Sequence, residues 1–366
     1  MPTYTDADRG FMGRALVLAE RGLYTATPNP RVGCAIVRDG RLVGEGWHER
    51  AGAPHAEVNA LADAAARGFD VRGATMYVTL EPCSHTGRTP PCTDAIVAAG
   101  IARVVVAMAD PNPQAADGAA RLRAAGVAVD IGLCADDARE QNPGFVARVT
   151  RGMPWVRMKV AASLDGRTAL ASGESQWITG ADARADGHRW RARACAVMTG
   201  IGTVRQDDPA LTVRAVETPR QPLRVIVDRN AETPADAQVL GGAGALVATA
   251  GGRNPRWPAK VEVLALPDTE GRVDLAALMR ELAARGVNEL HVEAGGKLNG
   301  ALLAAGLVDE LLLYYAPCLL GDPARGMAEF PGGLACLADR VALSVHSVGR
   351  VGDDIRVLAR VLRRKT

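Results

Sequence analysis

Residues 74–100 read ATMYVTLEPCSHTGRTPPCTDAIVAAG. Thr75–Leu80 is rich in β-branched and aromatic side chains and predicts a strand. The proline-rich loop after it carries Cys83, His85 and Arg88, and CTDAIVAAG reads as a short helix that opens at Cys92 and stops at Gly100. Strand, loop and helix in succession predict a layered α/β domain, and the flanks repeat the pattern. TDADRGFMGRALVLAERG has helical spacing, with Thr5 or Asp6 as its cap, and VGCAIVRDGRLVGEGWH is two strands around an Asp39-Gly40 hairpin. PHAEVNALADAAARG is a helix closed by Gly68, and ARVVVAMAD, AADGAARLRAAG and VAVDIGL read strand, helix, strand.

NPGFVARVTRGMP, residues 142–154, is basic with Gly and Pro at both ends and sets a domain boundary near Gly152. A second α/β pattern follows. WVRMKVAAS, ACAVMTG, PLRVIVD, ALVATAG, VEVLAL, ELHVEAG and ELLLYYAP read as strands; ADARADGHRWRAR, LAALMRELAARG and LNGALLAAG read as helices. No fixed-period repeat interrupts them.

A length of 366 residues with 48% apolar composition suits two or three cored domains. The formal charge of +2 and the 4% aromatic content argue against a nucleic-acid or membrane partner. The N-terminal stretch is broken by acids and arginines and lacks the apolar core of a signal peptide. Seven scattered cysteines, an odd number, argue against a disulfide framework, and the expected compartment is the cytoplasm.

That leaves the closely spaced cysteines as metal ligands. Upstream, PHAEV places His55 and Glu57 at a helix start. One imidazole and two thiolates leave the fourth tetrahedral position open, the mark of a catalytic rather than a structural zinc. A carboxylate beside such a site can take a proton from water and return it to a leaving group. H-x-E followed by P-C-x-x-C is a zinc deaminase signature. Here eight residues lie between Cys83 and Cys92 where that signature has two. A deaminase of nucleosides or tRNA bases and a purely structural zinc clamp are the competing readings; the near-neutral charge and the second domain weigh against the first, and Glu57 against the second.

TPNPRVGCAIV, AGAPHAEVNAL, VTLEPCSHTGRTPPC and DPNPQ resemble the deaminase half of the bifunctional riboflavin-biosynthesis deaminase–reductase family, in which the longer cysteine spacing is normal. KVAASLDGRTALASGESQWITG, DDPALTVR and VEAGGKLNGALL resemble its reductase half. The resemblance implies a cytidine-deaminase-like three-layer α/β/α domain over residues 1–152. Over 153–366 it implies a dihydrofolate-reductase-like α/β domain that takes NADPH without a G-x-G-x-x-G fingerprint. It implies a zinc held by His55, Cys83 and Cys92, Glu57 as the proton shuttle, and Asn29 on the pyrimidine edge. His85 takes a substrate or supporting role, and Asp110, Asn112 and Arg88 are further substrate candidates. On the reductase side the cofactor positions are Ala161, Trp177, Thr203, Asp207 and the turn Gly295, Gly296, Lys297, Leu298, Asn299, Gly300 and Ala301. Substrate positions are Ser175, Arg191, Leu211, Arg214 and Glu293, with Lys159 near the sugar. Arg229 is expected to meet the extra phosphate that distinguishes NADPH. The implied partners are small phosphoribosylaminopyrimidines, and the implied assembly is a homo-oligomer.

Overall fold

The computed structural model describes residues 4–85, 90–113, 115, 117–242 and 244–363. The chain separates into two compact units, Met1–Gly152 and Met153–Thr366. Among the described residues no helix is long and apolar enough to cross a membrane.

The first unit runs α1 (Asp6–Glu20), β1 (Gly33–Arg38), β2 (Arg41–Trp47), α2 (Ala56–Ala66), β3 (Thr75–Leu80), α3 (Cys92–Ala98), β4 (Arg103–Met108), α4 (Gly118–Ala124), β5 (Ala128–Ile131), α5 (Ala135–Gln141) and α6 (Pro143–Arg151). Its sheet has the order β2-β1-β3-β4-β5. β1 is antiparallel to β2 and β3, and β3, β4 and β5 run parallel. Helices α1 and α5 lie on one face, and α2 and α4 contact the sheet from elsewhere with α3 packed between them. Helix α1 opens with a capping box: Thr5 Oγ1 accepts the Asp8 N–H at 3.1 Å and Asp8 accepts the Thr5 N–H at 2.8 Å. On β2 the absence of a side chain at Gly46 bears directly on the helix that follows. A Cβ there would lie 2.4 Å from the Ala56 carbonyl and the Ala60 nitrogen, so its absence lets α2 settle directly on the strand.

The second unit runs β6 (Trp155–Ser163), β7 (Arg167–Ala169), α7 (Ala181–Arg193), β8 (Ala196–Gly200), α8 (Ile201–Asp207), β9 (Leu223–Val227), β10 (Ala245–Thr249), β11 (Glu262–Ala265), α9 (Leu275–Ala284), β12 (Glu289–Val292), α10 (Gly296–Ala304), β13 (Glu310–Ala316), β14 (Arg325–Gly326), β15 (Leu343–Val351) and β16 (Asp354–Val361). Nine strands form one sheet, β11-β10-β9-β8-β12-β6-β13-β16-β15. β6 and β8 to β13 are parallel, which explains their near-continuous apolar sequences; β16 and β15 add an antiparallel edge. A buried ion network crosses this sheet. Arg157 pairs with Glu289 at 2.9 Å and with Glu310; Arg193 and Arg360 close the network on Glu289 at 2.7 Å and on Glu310 at 2.9 Å. The Arg157 and Arg193 guanidiniums lie over the Trp190 ring at 4.5 and 5.1 Å.

Residues 143–151, read from sequence as an interdomain stretch, are helix α6, with Pro143 at its start and Gly152 at φ +66° after its end. Lys159 is on an inner strand between β12 and β13, not on an edge, and is half-buried.

Candidate active sites

In the first unit the β2–α2 connection delivers His55 as the N-cap of α2 and Glu57 into its first turn, while Cys83 follows β3 and Cys92 opens α3. The His55 Nδ1 lies 3.2 Å from Cys92 Sγ and 3.6 Å from Cys83 Sγ, and the three ligand atoms all lie within 4.8 Å of one another. Zinc bonds of the usual length and tetrahedral angle require N···S and S···S separations of about 3.6 and 3.8 Å. The donor set therefore fits zinc with little movement. The Cys92 backbone N–H donates to Cys83 Sγ at 3.4 Å. A hydrogen bond from the Cys92 thiol, and then His55, pull the Cys83 pKa down to about 4, the state a metal ligand needs. The partnership with Cys83 pushes the Cys92 thiol up, and it raises His55 as well. Glu57 is 3% exposed, and burial pushes its carboxyl up.

Asn29 reaches this group through one neighbour. Its amide nitrogen lies 3.0 Å from His48 Nε2; His48 Nδ1 lies 3.2 Å from the Pro54 carbonyl, and its ring meets His55 edge-on at 5.2 Å. Burial lowers the His48 pKa, which suits a neutral ring donating to Pro54 and accepting from Asn29. His48 was not picked out from the sequence, nor was Glu81. The buried Glu81 carboxylate accepts the Asp110 N–H at 3.2 Å and the Ala119 N–H at 2.9 Å, so it fixes the DPNP turn beside Cys83. Asp110 accepts the Asn112 N–H at 2.8 Å, and burial pushes the Asp110 carboxyl up to about 6. His85 stands outside the three-ligand group. Arg88 lies outside the described residues.

In the second unit several candidate residues follow the carboxyl ends of parallel strands, the region where open parallel sheets bind ligands, and two lie within a strand. Lys159 and Ala161 are on β6, Thr203 and Asp207 on α8 after β8, Arg229 after β9, and Glu293 with Gly295 after β12. Gly295 is the N-cap of α10, and a Cβ there would sit 3.8 Å from Thr203 Oγ1. Gly296, Lys297 and Leu298 form the first turn of α10, with Leu298 packed against Gly200. Gly300 and Ala301 continue that helix; a Cβ on Gly300 would strike the Glu329 carbonyl at 1.8 Å. Asn299 spends its amide on the Ala294 and Met327 carbonyls at 3.1 and 2.9 Å, so it braces the turn.

Ser175 donates to Asp207 at 3.4 Å, and burial raises the Asp207 carboxyl. Trp177 is 70% exposed and stacks with Arg184 at 4.7 Å, which excludes a core-packing role. Leu211 is buried at φ +51° in the loop that carries Arg214. Arg191 is also engaged within the protein. Its guanidinium grips Glu293 through two bonds of 2.8 and 3.0 Å and donates to the Thr212 carbonyl at 2.6 Å. Burial would raise Glu293, but Arg191 and Lys159 outweigh it and hold the carboxyl well below its usual range. Arg229 is exposed, with its guanidinium 3.5 Å from the Glu270 carbonyl.

Residues 5–108 match the family model for the cytidine and deoxycytidylate deaminase zinc-binding region, and residues 154–357 match that of the RibD C-terminal domain. The chain is 49% identical to the riboflavin biosynthesis protein RibD of Escherichia coli, over 95% of this chain and 98% of that one. It is 40% identical to that of Aquifex aeolicus, over 96% and 97%. Among solved structures, Acinetobacter baumannii RibD superimposes with a TM-score of 0.89 at 43% identity, covering 98% of this chain and 99% of that one. A Thermotoga maritima diaminohydroxyphosphoribosylaminopyrimidine deaminase/5-amino-6-(5-phosphoribosylamino)uracil reductase gives 0.89 at 35%, covering 97% and 99%.

Proposed function

This chain belongs to the RibD family of bifunctional riboflavin-biosynthesis enzymes, and from that premise we propose how its residues divide the two reactions. The first is hydrolytic deamination of 2,5-diamino-6-(5-phosphoribosylamino)pyrimidin-4-one. The second is NADPH-dependent reduction of the resulting uracil's ribosyl group to a ribityl chain. The observation that carries the first is the closeness of one imidazole and two sulfurs beside a buried glutamate. His55, Cys83 and Cys92 hold zinc, which when bound supplies Lewis acidity and an acidified water. The Glu57 carboxylate takes a proton from the attacking water and delivers it to the departing ammonia. Asn29, held by His48, hydrogen-bonds the pyrimidine edge.

In the reductase unit NADPH supplies the hydride. The backbone of Gly295–Ala301 at the start of α10 receives its pyrophosphate, with Ala161, Trp177, Thr203 and Asp207 around it. Ser175, Leu211, Arg214 and the Arg191–Glu293 pair orient the sugar phosphate, and Lys159 meets the ribose hydroxyls. The test of the whole reading is to supply the diaminopyrimidine phosphate with and without NADPH and weigh the products. Deamination should occur in both; the second mass change should need NADPH. Ammonia release from cytidine but not from this substrate would overturn the reading. The cytoplasm, where thiolates persist, is the compartment we assign.

Arg229 would bind the phosphate that separates NADPH from NADH. A charge-assisted contact of this kind is worth roughly 1.5–3 kcal/mol, so Arg229→Ala should narrow the kcat/KM preference for NADPH by about tenfold or more. An unchanged preference would remove Arg229 from the cofactor site.

The active form is read as a homo-oligomer. β15 is the edge of the nine-stranded sheet and shows Leu343, Val345 and Val348 to solvent, at 41%, 62% and 64% exposure. A bulge between Val345 and Ser347 resets the alternation, so Val345 and Val348 share a face. A second copy related by a two-fold axis would cover this edge with its own β15. Light scattering should give at least a dimer mass, and Val345→Asp should shift it toward monomer; a monomer mass for the parent at micromolar concentration would contradict the assignment.

A further inference from the structure

The reductase unit contains imidazoles to which the division of work above gives no task, and His188 is one of them. His188 lies on α7 between Arg184 and Arg191, and the four- and three-residue steps place all three on one stripe of the helix. At one end of the stripe Arg184 stacks on Trp177 at 4.7 Å, beside the proposed cofactor. At the other, Arg191 grips Glu293. Lys159 approaches from β6: a Cβ built on the adjacent Gly187 would meet Lys159 Cε at 4.0 Å. The Arg214 backbone N–H donates to His188 Nδ1 at 3.3 Å. That bond fixes the tautomer, because a ring accepting at Nδ1 carries its proton on Nε2.

His188 is therefore a half-buried donor with its other ring nitrogen already anchored. Around it, Arg191, Arg214 and Lys159 outnumber the single carboxylate of Glu293. Burial, and then those cations, push its pKa down to about 4, so the free enzyme presents a neutral ring in a positive pocket. Arg191 has already committed three of its five N–H groups to Glu293 and Thr212, so a bound anion would draw on the other donors around it. The chemistry missing from this pocket is a dianion.

We propose that His188 is a substrate-binding residue of the reductase, donating from Nε2 to the phosphate of the phosphoribosyl group. The proposal rests on the reductase reading above. His188→Phe keeps a ring but has no donor; His188→Gln restores an acceptor for the Arg214 N–H and a donor beyond it. His188→Phe should raise KM for the deaminated phosphoribosyl substrate about thirtyfold, with kcat within threefold and KM for NADPH within twofold. His188→Gln should recover most of that loss. On the dephosphorylated substrate, parent and His188→Phe should perform alike. Deaminase turnover of the same preparations, expected unchanged, reports on integrity of the chain. An unchanged KM in His188→Phe, or an equal loss on phosphorylated and dephosphorylated substrates, overturns the assignment alone. A parent protein that oxidises no NADPH with the phosphorylated substrate sinks the reductase reading and this assignment with it.

Discussion

Glu57→Gln should cut deaminase turnover about a thousandfold while the protein still binds zinc and still reduces substrate that arrives already deaminated. The expected size follows from the role. A positioned general acid–base contributes roughly 10²–10⁴-fold, and a glutamine amide neither takes a proton from water nor returns one to ammonia. Glutamine keeps the length and shape of the side chain, so α2 should keep its seat on β2. The substitution removes none of the three ligands that lie within 4.8 Å of one another. Three measurements on one preparation separate the possibilities: ammonia release, bound zinc by elemental analysis, and NADPH oxidation with the deaminated substrate. Turnover within tenfold of the parent would show that another group moves the proton. Loss of zinc together with activity would recast Glu57 as a support for the site.

The second large effect is on stability. Arg157 is 2% exposed and pairs with Glu289 and Glu310, themselves buried at 7% and 1% exposure. Arg157→Met fills similar space but leaves both carboxylates short of positive charge. Breaking a buried pair by removing one partner costs about 3–5 kcal/mol. Arg193 and Arg360 still contact the two glutamates, which favours the lower part of that range. For a unit of this size each kcal/mol moves the midpoint by about 2–4 °C, so NADPH oxidation should be lost about 10 °C earlier on heating. Arg157→Lys retains the charge without the planar fork and should fall between. A shift under 3 °C for Arg157→Met would mean that Arg193 and Arg360 suffice to compensate both acids.

The parts of the fold that were legible in the sequence are those whose burial is one-sided or complete. WVRMKVAAS and ADARADGHRWRAR correspond residue for residue to β6 and α7; the first carries the apolar run of a buried parallel strand, the second the Ala- and Arg-rich composition of a surface helix. The missed elements share a different physics. Helix α8, IGTVRQD, goes unassigned in the sequence; it is one short helix entered directly from a strand, and its β-branched residues give no helical signal. Helix α6 was hidden by Pro143 and Gly144, although proline suits a first helical position. Strand β15 is exposed along most of its length, so no in-out alternation announces it. The grouping of His55, Cys83 and Cys92 was legible because one imidazole and two thiols in that pattern are rare and local. The Arg191–Glu293 grip was not, because 102 residues separate its partners. Glu81 and His48 act by holding backbone and a neighbouring amide, a task to which their residue types give no clue.

Gly46 carries a consequence for how this chain can drift. It lies on a strand remote in sequence from the cysteines, yet its missing methyl group is what allows Ala56, the residue between His55 and Glu57, to come so near. Any side chain there would act as a wedge beneath the helix, levering the imidazole and the carboxylate away from the two sulfurs together. Misplacement of reacting groups by about 1 Å can cost about a hundredfold in rate. The hydrolytic half is thus vulnerable from behind, at a position that touches neither metal nor pyrimidine.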